Sequence, residues 1–137
     1  GIRERGSLEV KEFTPEAIGR LNVSPQALEI IKDALKGVVN EPHGTAARSR
    51  SAFFKIAGKT GTAQVVGDKH TKNRGDIPKE LQDHAWFIAY APAEDPEIVV
   101  AVLVEHGGHG GSVAAPIAKR IIERYLKVDE GKDNRGL

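Results

Sequence analysis

The sequence predicts an α+β fold, an antiparallel sheet of three main strands with one helix before it and one after it. Three observations carry this. An apolar stripe at helical spacing runs through residues 24–40. Three runs rich in β-branched, aromatic and small residues fall at 52–66, 84–91 and 98–105, and a second helical stripe begins at Val113. With 137 residues, 39% hydrophobic and 28% charged, the chain has the composition of one globular domain or part of one.

Taken in order, residues 2–13 are charged around a turn-like Gly6-Ser7 and predict a weak two-stranded arm. Thr14-Pro15-Glu16 opens a short turn or helix, with a hydroxyl to cap and a proline at the first helical position. Ser24-Pro25 repeats that signal more strongly, because Leu28, Ile31, Leu35 and Val38 follow at three- and four-residue steps. This helix ends near Asn40-Glu41-Pro42-His43-Gly44, where proline and glycine break the pattern. The strand predicted over 52–66 is followed by a polar stretch, 67–83, which is long for a compact domain and so more functional in character than incidental. Strands 84–91 and 98–105 form an antiparallel hairpin across Pro92-Ala93-Glu94-Asp95-Pro96-Glu97. The near-continuous apolarity from Ile98 onward predicts burial on both faces of the last strand. A glycine-rich loop, 106–112, leads into a helix carrying Val113, Ile117, Ile121, Ile122 and Tyr125 on one side, and Pro116 must fall in its first turn. The core therefore spans 14–126, and a charged, frayed tail occupies 127–137.

Composition excludes several function classes. Twenty basic residues against nineteen acidic ones leave a net charge of +1, which is no field for nucleic acid or anionic membrane. The absence of cysteine removes disulfides, thiolate zinc sites and cysteine nucleophiles. No apolar run approaches the ~20 residues needed to cross a bilayer, and the polar start Gly1-Ile2-Arg3-Glu4-Arg5 is no signal peptide. Any anchor or export segment of a parent protein is expected to lie outside this chain.

The residues that point to chemistry are Lys59-Thr60-Gly61-Thr62, preceded by Gly58 within a strand. Alternation puts Thr60 and Thr62 on one face and Lys59 on the other, while Gly61 lets another backbone come close. A cation, two hydroxyls and an accessible strand edge make a receptor for an extended peptide ending in a carboxylate. A backbone N–H on that edge can also donate to an oxyanion during acyl transfer. The tripeptide K-T-G alone is weak evidence, since a lysine beside a threonine is usually a plain strand surface. Its setting raises its weight: mid-strand, beside glycine, before a hairpin and a closing helix. K-T-G is moreover a known signature of β-lactamases and penicillin-binding proteins.

Three longer blocks extend the signal: 39–46 (VNEPHGTA), 56–64 (IAGKTGTAQ) and 83–92 (DHAWFIAYAP). Together, from about residue 14 to residue 126, the chain resembles the class B penicillin-binding proteins, in particular their elongation-specific branch. The resemblance implies part of a penicillin-binding, β-lactamase-like transpeptidase fold and a peptidoglycan D,D-transpeptidase that cross-links stem peptides through a serine acyl-enzyme. It implies a domain outside the cytoplasm on a membrane-anchored parent, a glycosyltransferase partner, inhibition by β-lactams and no cofactor. By the same resemblance, Lys59 lends positive charge and supports proton transfer. Thr60 and Thr62 bind the substrate or β-lactam carboxylate, Gly61 lies between them in the substrate site, and the Thr62 N–H completes the oxyanion hole.

The departures matter equally. The family attacks with the serine of a Ser-x-x-Lys motif and uses a second motif, Ser-x-Asn, and neither occurs here. Ser51 and Lys55 have one residue too many between them, and Ser49-Arg50-Ser51 lacks the asparagine. The chain is thus expected to supply half a cleft and no nucleophile. A β-lactam-sensing receptor or a β-lactamase-like domain of the same fold is the alternative, and a small interaction domain with a fortuitous K-T-G is a third reading.

Other features weigh less. His106 and His109 could ligate a metal, but only Glu105 stands near them to complete a set, so no metal site is assigned. The glycines with Ser112 could hold an anion at a helix N-terminus, although a tight strand-to-helix turn explains them as well. Trp86 and Phe87 must point to opposite faces. The Lys69-His70-Lys72-Arg74 cluster is flanked by Asp68 and Asp76 and reads as a solvated loop. Finally, the resemblance implies that strand 98–105 pairs on its far side with a strand from the start of the transpeptidase domain, outside this chain. With no proline or lysine in it, that open edge predicts self-association, by pairing between copies or by cover from residues 2–13.

Overall fold

The computed structural model describes residues 2–3, 10–11, 16–20, 22–65 and 78–127. Strands β1 (Ile2–Arg3) and β2 (Val10–Lys11) pair antiparallel as a separate two-stranded ribbon. Helix α1 (Pro25–Asn40) follows, then a 3₁₀ turn at Ala47–Ser49, strands β3 (Ala57–Ala63), β4 (His84–Ala91) and β5 (Ile98–Val104), and helix α2 (Ala114–Tyr125). The main sheet is antiparallel in the order β3-β4-β5. Both helices pack on one face of it, since Val39 of α1 and Ala114, Ala115, Ala118 and Ile122 of α2 share a core with Phe87, Val100 and Val102. This is the α+β sheet with flanking helices that the hydrophobic pattern predicted. Thr14, Pro15, the Lys69–Arg74 cluster and the end of the tail lie outside the described residues, and residues 16–20 form no helix.

Helix α1 starts where the cap predicted it. The Ser24 side chain accepts from the Ala27 N–H at 3.2 Å, and Pro25 takes the first helical position. Its burial is concentrated at the C-terminal end, where Val39 is fully buried while Leu28 and Ile31 remain about half exposed. The expected stripe is therefore only partly covered. Asn40 ties the helix end to the sheet, donating from Nδ2 to the Lys36 carbonyl at 2.6 Å and to the Ile56 carbonyl at 2.8 Å. On the exposed side, Asp33 is held below the usual carboxylate range by its hydrogen bond from Lys36, with a smaller contribution from the charge of Lys55.

The strand expected over 52–66 is shorter than its composition suggests. Residues 52–56 bend instead: Ser51 Oγ donates to Glu123 at 2.7 Å, the Phe53 N–H returns to Ser51 Oγ, and the Lys55 carbonyl accepts from Ala93 N–H at 2.9 Å. These tertiary bonds hold the segment off the ladder, so Lys55 and Lys59 do not share one strand face as simple alternation would have it.

Register then decides which side chains meet the helices. Thr60 pairs with Phe87 and Phe87 with Val102, and Thr62 pairs with Ala85 and Ala85 with Val104, so this set points toward the helices. Lys59 with Ile88, Gly61 with Trp86, and Trp86 with Leu103 form the opposite face. That face is covered only in part by described residues: Ala57 is fully buried on it, but Trp86 is 38% exposed, Ile88 52% and Val99 71%. The prediction that β5 is buried on both faces therefore fails here, and only Val100 and Val102 are buried. Its residues are apolar, but one of its faces is left largely open among the described residues.

Helix α2 buries only part of its expected stripe, since Ile122 is in the core and Val113 packs against it. The buried side is Ala114, Ala115, Ala118 and Ile122, whereas Ile117, Ile121 and Tyr125 are 42–59% exposed. Alanines allow the helix to lie close on β4 and β5, where larger side chains would hold it away.

Candidate functional site

The site grows from the end of β3. Thr60 and Thr62 project from the helix-side face into a cleft of about 510 Å³, whose other walls are the turn after α1 and the loop before α2. The first wall is rigid. Ala46 N–H donates to the Val38 carbonyl at 2.9 Å and Ser49 N–H to the Ala46 carbonyl at 2.8 Å, with Ala46 and Ser49 nearly fully buried. This wall brings Thr45 Oγ1 to 3.0 Å from Thr60 Oγ1, fifteen residues away in sequence.

The second wall depends on glycine. A Cβ on Gly110 would fall 2.1 Å from the Trp86 carbonyl oxygen and 2.6 Å from that of Gly61, and one on Gly111 would fall 2.1 Å from the carbonyl oxygen of Thr45. The close backbone approach expected at Gly61 is thus made by Gly110 of the same chain. A turn holds this loop in place. His106, in the left-handed region at φ 52°, donates its N–H to His84 Nδ1 at 2.9 Å, and Gly108 N–H donates to the Asp83 carbonyl at 2.8 Å. The two imidazoles meet edge to face with centroids 4.7 Å apart.

The start of α2 is closed by its own backbone. The Val113 N–H donates to the His109 carbonyl, and the Ala114 and Ala115 N–H groups to that of Gly110. The first amides are therefore already spent, and the tight-turn reading of the glycines and Ser112 prevails over an anion at the helix terminus. His106 lies against His84 while His109 lines the cleft, and among the described residues no group of three or more His, Cys, Asp or Glu could hold a metal.

The structure brings Thr60 and Thr62 together and leaves the far edge of β3 without a strand partner among the described residues. It does not bring Lys59 into the cleft. That side chain stands on the opposite face, and its ammonium donates to the Thr60 carbonyl at 2.7 Å. Thr45, Arg48, His109 and Ser112 also line the cleft, and sequence reasoning assigned none of them to the carboxylate. For Thr45 the available signal was the Gly44-Thr45-Ala46 block within the resemblance. For the others no periodicity points at a cleft formed by distant segments. No acidic side chain lines the cleft among the described residues, whereas Thr45, Thr60, Thr62 and Ser112 offer hydroxyls to it. Such a lining suits an anion that accepts several hydrogen bonds.

Comparison with known proteins agrees with this geometry. The "Peptidoglycan D,D-transpeptidase MrdA" of Haemophilus influenzae is 44% identical over 103 residues, covering 73% of this chain and 16% of the relative. The "Peptidoglycan D,D-transpeptidase PbpA" of Mycolicibacterium smegmatis is 40% identical over 123 residues, covering 86% of this chain and 22% of the relative. Among solved structures, Pseudomonas aeruginosa PBP2 in complex with WCK 5153 superposes with a TM-score of 0.61 at 38% identity, over 78% of this chain and 20% of that one. Helicobacter pylori PBP2, in complex with MreC, gives 0.62 at 31%, over 75% and 18%. The chain thus spans about a fifth or less of the length of most of these proteins. Residues 2–123 match the family described as the penicillin binding protein transpeptidase domain, and the chain belongs to that family.

Proposed function

We propose that this chain is the C-terminal portion of a peptidoglycan D,D-transpeptidase and supplies the carboxylate-binding half of its cleft. The serine that forms the acyl-enzyme would come from residues beyond this sequence. The observation that carries the reading is a cleft with no acidic side chain among its described lining residues, in which Thr60 and Thr62 stand beside a strand edge that no described strand pairs. A stem peptide can add to that edge as a strand while its terminal carboxylate meets the hydroxyls. The Thr62 N–H would then help hold the oxyanion formed as a serine oxygen attacks the scissile carbonyl. Collapse breaks the C–N bond, and the terminal D-amino acid leaves with a proton. The acyl group passes to an acceptor amine, which completes the cross-link. β-Lactams would enter as carboxylate-bearing mimics of the same peptide.

The position of Lys59 supports an incomplete cleft. It stands among Gly61, Trp86 and Ile88 on the sheet face that the described residues cover only in part. The nucleophile-bearing part of the domain would pack there, burying Trp86, Ile88, Val99 and Leu103 and placing the Lys59 charge beside its hydroxyls. The parent would be anchored in the membrane with this domain outside the cytoplasm, acting with a glycosyltransferase. No described helix is long and apolar enough to span a bilayer.

The test is acylation of the full-length parent by a fluorescent penicillin, together with release of D-alanine from a D-Ala-D-Ala-terminated peptide when an amine acceptor is present. Acylation with peptide turnover supports the transpeptidase. Stable acylation without peptide turnover would instead identify a β-lactam sensor.

A further inference from the structure

The hydroxyl pair alone is a weak receptor for a carboxylate. Taking an anion out of water into neutral donors recovers less than a charge-assisted hydrogen bond provides, so a carboxylate site is expected to contain a cation. The cation named in the sequence motif is not there, because Lys59 lies on the opposite face of β3. Among the described residues that line the cleft, Arg48 is the side chain with a permanent positive charge. Its guanidinium has no hydrogen-bond or ion-pair partner among the described residues, and no acidic group lines the cleft to compete for it.

Its anchorage is also specific. Arg48 sits in the middle of the Ala47–Ser49 turn, whose neighbours Ala46 and Ser49 are turned inward and nearly fully buried. Fixing those two leaves Arg48 exposed at the cleft mouth, with its backbone held and its side chain free to reach a ligand. A guanidinium presents two parallel donors that match the two oxygens of a carboxylate, a geometry that a lysine ammonium cannot reproduce.

We propose that Arg48 is a specificity-determining residue, the cation that selects carboxylate-terminated peptides and carboxylate-bearing β-lactams in the Thr60–Thr62 cleft. This deepens the transpeptidase reading and rests on it. It assigns the hydroxyls the task of orienting the anion and Arg48 the task of requiring one.

The experiment compares second-order acylation rates of the full-length protein with benzylpenicillin and with benzylpenicillin methyl ester, which lacks the anion. Wild type, Arg48→Gln and Arg48→Lys are measured, with thermal melts as a check on folding. Because Arg48 is exposed, the expected loss for Arg48→Gln with benzylpenicillin is on the order of 10-fold. The ester rate should change less than about twofold, and Arg48→Lys should recover part of the loss. Rising ionic strength should slow the wild type with benzylpenicillin more than it slows Arg48→Gln. Equal losses for acid and ester would mean a structural role, no loss for either would mean a solvated arginine, and both overturn the proposal. If the wild type is acylated by neither compound, the transpeptidase reading fails while Arg48 is still tested. Binding of N-acetyl-D-alanyl-D-alanine to the same protein, followed by NMR, should then be weaker in Arg48→Gln, and equal binding would overturn the assignment.

Discussion

Replacing Gly111 by alanine places a methyl carbon 2.1 Å from the Thr45 carbonyl oxygen and 3.5 Å from Thr60 Cγ2. A relaxed carbon–oxygen contact is about 3.3 Å, so the two walls of the cleft must part by roughly 1.2 Å. Neither wall yields easily. The Thr45 segment is pinned by the bonds from Ala46 to Val38 and from Ala47 to Gly44, at 2.9 and 3.0 Å. Gly110, next to Gly111, is already against Gly61. Overpacking of this kind costs about 1–3 kcal/mol, less about 0.4–1 kcal/mol regained because alanine restricts the unfolded chain. A net loss of about 1–2 kcal/mol lowers the Tm of the intact domain by no more than a few degrees, since 1 kcal/mol shifts even a domain of about 150–250 residues by only about 2–4 °C. The functional effect should be larger. A shift of about 1 Å breaks the Thr45–Thr60 contact and moves the carboxylate site relative to the nucleophile, and displacements of that size cost about 10²-fold in rate. Thermal melting and stopped-flow acylation of the full-length protein measure the two effects, with Gly19→Ala, whose added methyl meets nothing within 4 Å, as control. A Gly111→Ala protein that melts and acylates like wild type would refute the account of the loop as a wall fixed by close backbone contact.

Four further outcomes are expected. The 137-residue chain alone should form no covalent adduct with a fluorescent penicillin, because no serine has a lysine at the Ser-x-x-Lys spacing; a stoichiometric, heat-stable adduct seen by mass spectrometry would contradict this. In the full-length protein Lys59→Ala should slow acylation about 10²-fold or more, whereas Lys55→Ala, in the bend before β3 and facing the field of Asp33, should stay near wild type; equal losses would mean that the cleft has been misplaced. Asn40→Ala removes two donated hydrogen bonds, to Lys36 and Ile56, and should cost about 1–2 kcal/mol in urea denaturation; an unchanged midpoint would show that the α1–β3 tie is not stabilising. The isolated chain should self-associate in light scattering through the β5 edge and its bare face, and Val99→Lys with Leu103→Lys should restore the monomer. Val102, an obvious choice from sequence, is nearly fully buried against the helices and would report unfolding instead. A wild-type monomer at high concentration would dispose of the edge as a liability.

Sequence by itself determined the fold class, because period and composition are local. Ser24-Pro25 caps α1, the three β-rich runs contain β3 to β5, and alternation alone separates Lys59 from Thr60 and Thr62. It also determined what is missing, since a nucleophile motif is a spacing and can be searched for. The K-T-G-T block points to the candidate cleft for the same reason: its residues are consecutive, and alternation puts both threonines on one face.

Only the tertiary structure decided which apolar residues are covered. Ile117, Ile121 and Tyr125 form as good a stripe as any, yet α2 turns its alanines inward, because closeness to the sheet is settled by what lies opposite. Strand β5 reads as buried on both faces, but a sequence cannot state whether the second layer is present in the same chain. The remaining walls of the cleft were equally hidden. Thr45, Arg48 and Gly111 line one cleft with Thr60 across separations that no local period encodes, and it is the register of β3 on β4, together with a loop lacking Cβ atoms, that brings them together.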